Sequence, residues 1–361
     1  MRRILLAASS AAFAVLAMLA PVGNASVATS SASKSVTLRV IQYNITGAAA
    51  PGNVANSLPN NGSLKALQYL KYQMGQFPST ISGGTYPDAV LLEETCAQQY
   101  KALKRKFTPN ATKTYVVFAE MVRNHRLCPG TKKAPKDHRL GLVLLSRWPL
   151  SNVTNTPLGY TDKKTYTTPD KYTNFHLLCG DMAVPGISKR VRACVTHLRK
   201  GSSPTYDQYK PQVDTIAKVL NPKITAGQPV IVGGDLNNLP GYRTLDPLYH
   251  LDRVGGLAGP GKMYEGDQLD TRYFDEATTP CTVDACRSGE KTTNALDSKT
   301  GLYRDYYKYD YLFYSGYTTT NGGFTDFSAL ALPFNHTPTS SNPYPSLSDH
   351  KLYRSQAVLH Y

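Results

Sequence analysis

Tryptophan, acidic side chains and long apolar runs are scarce in this sequence, and each shortage narrows what the chain can be. Trp148 is the single tryptophan among 361 residues, so a membrane-docking surface built on exposed indoles has no material. Asp and Glu number 25 against 40 Lys and Arg, a formal charge of +15 that selects polyanionic partners: nucleic acid, an anionic membrane or a cell-wall polymer. After the first segment nothing approaches the ~20 consecutive apolar residues of a membrane-spanning helix. Neither C-x-x-C pairs nor a matching histidine spacing is present, which argues against structural zinc. No internal repeat and no low-complexity linker divides the chain, so one domain is expected.

The first segment itself is informative. Arg2 and Arg3 precede an apolar stretch from Ile4 to Ala20, followed by Pro21 and small residues. This is the pattern of a secretory signal peptide over 1–25, with cleavage after Ala25 or Ala28. Residues 26–35, rich in Ser and Ala, are expected to be a flexible mature start, and 36–361 the folded domain. An exported chain with six cysteines implies disulfides, although six allow fifteen pairings. Cys281 and Cys286 bracket a short loop, Cys179 and Cys194 lie on strands of an expected hairpin, and Cys96 is left with Cys128.

Alternation and apolar runs mark strands at Val36 to Ile45, Asp88 to Leu92, Thr114 to Ala119, Leu140 to Leu145, Phe175 to Met182, Arg192 to His197, Asp310 to Tyr314 and Gln356 to His360. Leu64, Leu67, Leu70 and Met74 have near-helical spacing. Val213, Ile216, Ala217 and Leu220 mark a second amphipathic helix, with Pro211 in its first turn. Residues 241–308 and 324–344 read as loop. Strands outnumber helices, which predicts an α/β four-layer sandwich: two packed, mainly antiparallel sheets with helices on the outer faces.

The run from Pro229 to Asn238 carries the most chemistry. Val230, Ile231 and Val232 form a strand apolar on both faces, and it ends in Gly233, Gly234, Asp235, Leu236 and Asn237. In an extended segment Asp235 and Asn237 share one face. Polar residues close other strands too: Asn44, Glu94, His197, Asp310, and Asp349 with His350. Carboxylates and asparagines are the hard oxygen donors that magnesium or calcium prefers, and histidines near neutrality exchange protons.

This order of motifs, Asn44, Glu94, Thr196-His197-Leu198, Gly234-Asp235-Leu236-Asn237, Tyr309-Asp310-Tyr311-Leu312 and Ser348-Asp349-His350, resembles the endonuclease/exonuclease/phosphatase superfamily in its deoxyribonuclease I-like, secreted bacterial form. The resemblance covers residues 36–361. It implies a metal-dependent phosphodiesterase, in first place a nuclease acting on DNA or RNA as a monomer outside the cell. Sphingomyelinase-like, phosphatase and non-catalytic polyanion-binding readings are the alternatives. It further implies metal ligation by Glu94, Asn44 and Asp349, with Mg2+ expected and Ca2+ or Mn2+ as substitutes. His350 paired with Asp310, His197, and the water- and phosphate-positioning Asp235 and Asn237 are the implied catalytic groups. Arg139 and Arg190 resemble phosphate-gripping positions. The usual glutamine before the metal glutamate is replaced by Glu93, so Glu94 is assigned by register and Glu93 is the fallback.

Overall fold

The computed structural model describes residues 34–45, 64, 66–81, 86–108, 113–123, 128, 138–161, 174–199, 210–250, 261–267, 288–296, 303–318, 321–334, 340, 343–344 and 347–361. The expected signal peptide, and Cys281 with Cys286, lie outside the described residues.

In chain order the elements are β1 (Ser35–Asn44), α1 (Ala66–Gly75), β2 (Ala89–Cys96), α2 (Ala97–Phe107), β3 (Thr114–Val122), β4 (Leu140–Thr161), β5 (Asn174–Met182) and β6 (Val191–His197). There follow α3 (Lys210–Thr225), β7 (Val230–Asp235), β8 (Met263–Glu265), β9 (Asn294–Leu296), β10 (Tyr303–Asp305), β11 (Asp310–Ser315), β12 (Gly323–Ala331) and β13 (Tyr353–His360). Eleven strands share one hydrogen-bonded ladder, ordered β12-β13-β1-β2-β4-β5-β6-β7-β11-β8 with β3 also on β4, while β9 and β10 pair with each other. β1 with β2 and β6 with β7 are parallel; the remaining pairs are antiparallel. The fold is α/β, with a large mixed sheet and few helices.

The ladder differs from the two separate sheets expected. β4 runs for 22 residues; its first half pairs with β2 and β3 and its second half with β5, so one strand belongs to both halves. Hydrogen bonding continues through Pro149 into the second half, although Ser146-Arg147-Trp148-Pro149 reads as a strand end. The sheet then folds back, because β1 side chains hydrogen-bond to β7 and β11, which lie far along the ladder.

Burial follows from alternation. Leu38 and Val40 of β1 join one core with β6, β7, β11 and α3, whereas Ile41 and Tyr43 join another with α1, α2, Val90 and Leu92. Both faces of β1 and β2 are therefore covered. α2 was not expected: its buried Ala97, Gln99, Leu103 and Phe107 are interleaved with tyrosine and a basic last turn of Lys104, Arg105 and Lys106. β12 was also not expected, since its burial is irregular and Asp326 sits at φ 50° where its register against β13 shifts. Pro211 is the second residue of α3, where its missing N–H is no loss.

The two glycines of β7 are there for space. A Cβ on Gly233 would come within 2.6 Å of Leu312 Cδ2 and 2.9 Å of Leu91 Cδ1, so this glycine lets β2 close onto β7. Gly234 has φ +151°, and a Cβ there would sit 1.8 Å from the Thr196 carbonyl oxygen. Two disulfides join Cys96 to Cys128 and Cys179 to Cys194, the second across the paired strands β5 and β6.

A buried ionic cluster anchors the start of β11. Lys308 Nζ lies 2.8 Å from Asp267 Oδ2, 3.2 Å from Glu265 Oε1 and 3.1 Å from the Tyr353 hydroxyl. Burial drives Glu265 up to about 7, against the opposing charge of Lys308. The neighbouring carboxylates outweigh burial at Lys308 and raise it to about 12. Removing one partner of such a group leaves an uncompensated charge in the interior. Lys308→Met is expected to destabilise the protein by about 3–5 kcal/mol in urea or thermal unfolding. A loss within experimental error would show that the cluster does not hold β11.

Candidate active site

The carboxyl ends of β1, β2, β6 and β7 and the amino end of β11 meet at one edge of the molecule. His197 pairs in register with Asp235, and Asp235 with Asp310, so three adjacent strands bring their polar ends side by side. His350 arrives from the segment before β13. Its backbone N–H donates to Ser348 Oγ at 3.0 Å, and that hydroxyl donates to the Asn44 carbonyl at 2.6 Å.

Two glutamates in succession reach this edge because the backbone bends between them. Glu93 pairs in register with Asn44, so their side chains share a face. A regular strand would turn Glu94 to the opposite face. Glu94 instead has φ 50°, inside a register shift between Leu92 and Thr95, and this bulge returns its side chain to the same side. The two glutamates thus occupy two different places at this edge. Glu93 is buried under Gln42; Glu94 is partly open to solvent.

Two amides on β1 connect the carboxylates. Gln42 Nε2 donates to Glu93 Oε2 at 2.7 Å and to Asp310 Oδ1 at 2.8 Å. Asn44 Nδ2 donates to Glu94 Oε1 at 3.3 Å and to Asp235 Oδ2 at 3.1 Å. Asp310 uses its other oxygen to accept from His350 Nδ1 at 2.8 Å. His350 Nε2 then stands 3.6 Å from Asp235 Oδ2 and 4.0 Å from Asp349 Oδ1, and His197 Nε2 stands 3.4 Å from the same Asp235 oxygen. Asn237 is not extended as expected. At φ 49° it folds back, donating its N–H to Asp235 Oδ1 and its side-chain amide to the Leu198 carbonyl, both at 2.9 Å.

The electrostatics follow from this crowding. Burial raises Asp235 to about 7, with the Asp310 charge adding and the His350 charge opposing. Glu93 is driven well above the carboxylate range by burial first and then by the Asp310 and Asp235 charges. Burial also raises Glu94, and the Asp349 charge adds to it. At His350, burial opposes the charged ring, but Asp310, Asp235 and Asp349 together raise it well above the ordinary imidazole value.

The expected residues Asn44, Glu94, His197, Asp235, Asn237, Asp310, Asp349 and His350 are therefore gathered at one edge. Arg139 stands at the same end of β4 as Glu94 does of β2, with its guanidinium 3.9 Å from Glu120 and over the Phe118 ring. Arg190 is not brought there. It is exposed at the amino end of β6, while His197 closes the carboxyl end, roughly 20 Å away at the rise of a strand. Gln42 and Thr292 were missed. A glutamine two residues before Asn44 in an apolar strand is a readable signal, whereas Thr292, whose hydroxyl accepts the Tyr309 and Asp310 amides, lies in a segment without periodicity.

The sequence profile described as Endonuclease/Exonuclease/phosphatase family matches residues 53–350. The chain belongs to this family. No curated protein matches it. Solved structures share its fold: the human Nocturnin catalytic domain with bound sulfate, at 17% identity over 91% of this chain and 97% of that one, has a TM-score of 0.53. A family protein from Bacteroides thetaiotaomicron has 14% identity, coverage of 90% and 98%, and a TM-score of 0.55. The mannosyl-6-phosphatase Bt3783 of Bacteroides thetaiotaomicron VPI-5482 has 14% identity, coverage of 89% and 99%, and a TM-score of 0.54.

Enzymes of the endonuclease/exonuclease/phosphatase family are phosphoester hydrolases and generally use divalent metals. The donor chemistry at this edge suits such an ion. Glu94 and Asp349 lie close enough for each charge to oppose the other, and Asn44 adds an amide oxygen. Among the described residues no group of three acidic, histidine or cysteine side chains is arranged to hold a metal by itself.

If Asp310 holds the proton on His350, Asp310→Asn will move the His350 titration midpoint toward the ordinary imidazole value in metal-free protein. The ring proton followed by NMR reads this directly, and an unchanged midpoint would remove Asp310 as the cause.

Proposed function

We propose that this chain is a secreted, divalent-metal-dependent phosphodiesterase of the nuclease type that hydrolyses DNA as a monomer. The observation that carries the reading is the pairing of Asp310 with His350 Nδ1, which leaves Nε2 directed at Asp235 beside the Asn44 and Glu94 pair. His350, oriented by Asp310, exchanges a proton with the attacking water through Nε2. Asp235, linked to Asn44 and the Asn237 backbone, orients that water, and His197 donates toward a phosphate or leaving oxygen. Glu94, Asp349 and Asn44 would hold the ion, magnesium first and calcium or manganese as substitutes. When bound, it polarises the phosphoryl oxygen.

Nucleic acid is favoured over other phosphoesters by the +15 formal charge and by Arg139 and Arg199 at the site end of β4 and β6. Arg147 follows the first half of β4 at the opposite end, where Ser146 pairs with Ala89, and contributes nothing to this argument. Export is supported by the two disulfides and by the apolar N-terminal segment; no helix among the described residues is long and apolar enough to cross a membrane. The folded-back ladder, with α1 and α2 packed on one face of β1 and β2 and α3 packed in the core with β6 and β7, supports the four-layer sandwich with β4 as a shared strand.

The purified mature protein is expected to nick plasmid DNA with magnesium and to stop when EDTA is added. Single substitutions His350→Ala and His197→Ala should each lower the rate by roughly 10²–10⁴-fold, the range for loss of a general acid or base, with the folded circular-dichroism spectrum retained at the assay temperature. Cleavage of sphingomyelin vesicles or a sugar phosphate in place of DNA would move the assignment to a lipid phosphodiesterase or a phosphatase. Absence of turnover on all of these with every divalent ion would leave a polyanion-binding module.

A further inference from the structure

The aromatic side chains around the catalytic edge are not used by the mechanism above. Tyr306 and Tyr307, just before β11, are 52% and 38% exposed. Their rings meet edge to face with centroids 4.3 Å apart, and Tyr307 lies 5.2 Å from the Tyr309 ring. Buried tyrosines elsewhere in the protein fill the core; these do not.

Their position is set by backbone pairing. Asp235 ends β7 opposite Asp310, which starts β11, so the residues after Asp235 and those before Asp310 leave the sheet at the same end. The Leu236 N–H donates to the Tyr309 carbonyl at 2.8 Å, which joins the two departing segments. The Thr292 and Thr293 amides donate to the Tyr307 carbonyl, and Thr293 bridges His350 on its other side. Tyr307 thus stands one strand away from the catalytic histidine. Tyr242, in the loop that follows Asn237, comes near as well: the Tyr307 phenol is raised by partial burial and then by the Tyr306 and Tyr242 hydroxyls. Two residues separate Tyr307 from Asp310, at most about 10 Å of extended chain.

We infer that Tyr306 and Tyr307, flanked by Tyr242 and Tyr309, form a stacking shelf for an unpaired nucleobase next to the phosphate being hydrolysed. Exposed aromatic faces bind bases without regard to sequence, because every base presents a π face. Exposed Arg243 and Arg304 adjoin Tyr242 and the Tyr306 pair in the chain, supplying positive charge for the phosphates on either side of that base. The shelf rests on the nuclease reading and narrows it to single-stranded or locally unpaired substrate, since paired bases in a duplex have no free face.

Affinity in EDTA tests the shelf apart from catalysis. A labelled short oligothymidylate and an abasic strand of equal length carry the same phosphates and differ in their bases. The wild-type mature protein is expected to bind the oligothymidylate about tenfold more tightly, within the range for base stacking on an aromatic side chain. Tyr306→Ala with Tyr307→Ala should bring the two affinities together, while the paired phenylalanine substitutions should preserve the difference. Tyr317→Ala, also exposed but beyond the other end of β11, should leave the ratio unchanged. Equal wild-type affinities, or a ratio that survives the double alanine substitution, would overturn the shelf. Cutting of the oligothymidylate itself with magnesium, measured in parallel, keeps the readings separate: cutting without base-dependent affinity overturns the shelf alone, and no cutting of either the oligothymidylate or plasmid DNA overturns the nuclease reading and the shelf with it.

Discussion

Two amide side chains on one strand hold this site together. Gln42 and Asn44, two residues apart on β1, each donate to a carboxylate of β2 and to a carboxylate on the far side of the folded ladder. Without them Glu93 would face Asp310, and Glu94 would face Asp235, as bare like charges in a water-poor setting. A neutral donor with two N–H bonds is suited to this task, because it satisfies both oxygens without cancelling the charge that a cation and a protonated histidine require. Register does the rest: the spacing of two along β1 matches the separation of the paired acids it meets.

Two buried acidic clusters among the described residues are treated differently. Around Glu265 and Asp267 the balancing cation is built in as Lys308, with Tyr353 adding a hydroxyl. Around Glu93, Glu94, Asp235, Asp310 and Asp349 the balancing charges are the titratable rings of His197 and His350. A fixed ammonium gives a quiet scaffold, and an exchangeable charge gives reactivity. Lys308 and Asp310 are separated by one residue, so the inert cluster anchors the strand that carries the reactive one.

Much of this was readable before any coordinates, for a physical reason. Strands that end in Asn44, Asp235 and Asp310 announce themselves by an apolar run meeting a polar residue, and parallel or register-matched ends must converge. Local irregularity was not readable. The left-handed turns at Glu94 and Asn237 reverse the face that alternation assigns, and nothing in Glu-Glu-Thr or Leu-Asn-Asn marks them. Arg190 is close to His197 in the chain and far from it in space, because a seven-residue strand places its two ends far apart. α2 was hidden by the charge of its last turn, and the tyrosine shelf by the loop-rich composition around it.

β4 has one more meaning. A strand that is hydrogen-bonded into both halves of the ladder along 22 residues acts as a common beam, bent at the junction where its register against β5 shifts at Asn152, φ 47°. Enzymes that gather catalytic groups from two lobes often open and shut like a jaw. Here the groups from β1 and β2 are tied to those of β6, β7 and β11 through one shared strand, so a single run of backbone places both halves of the candidate site.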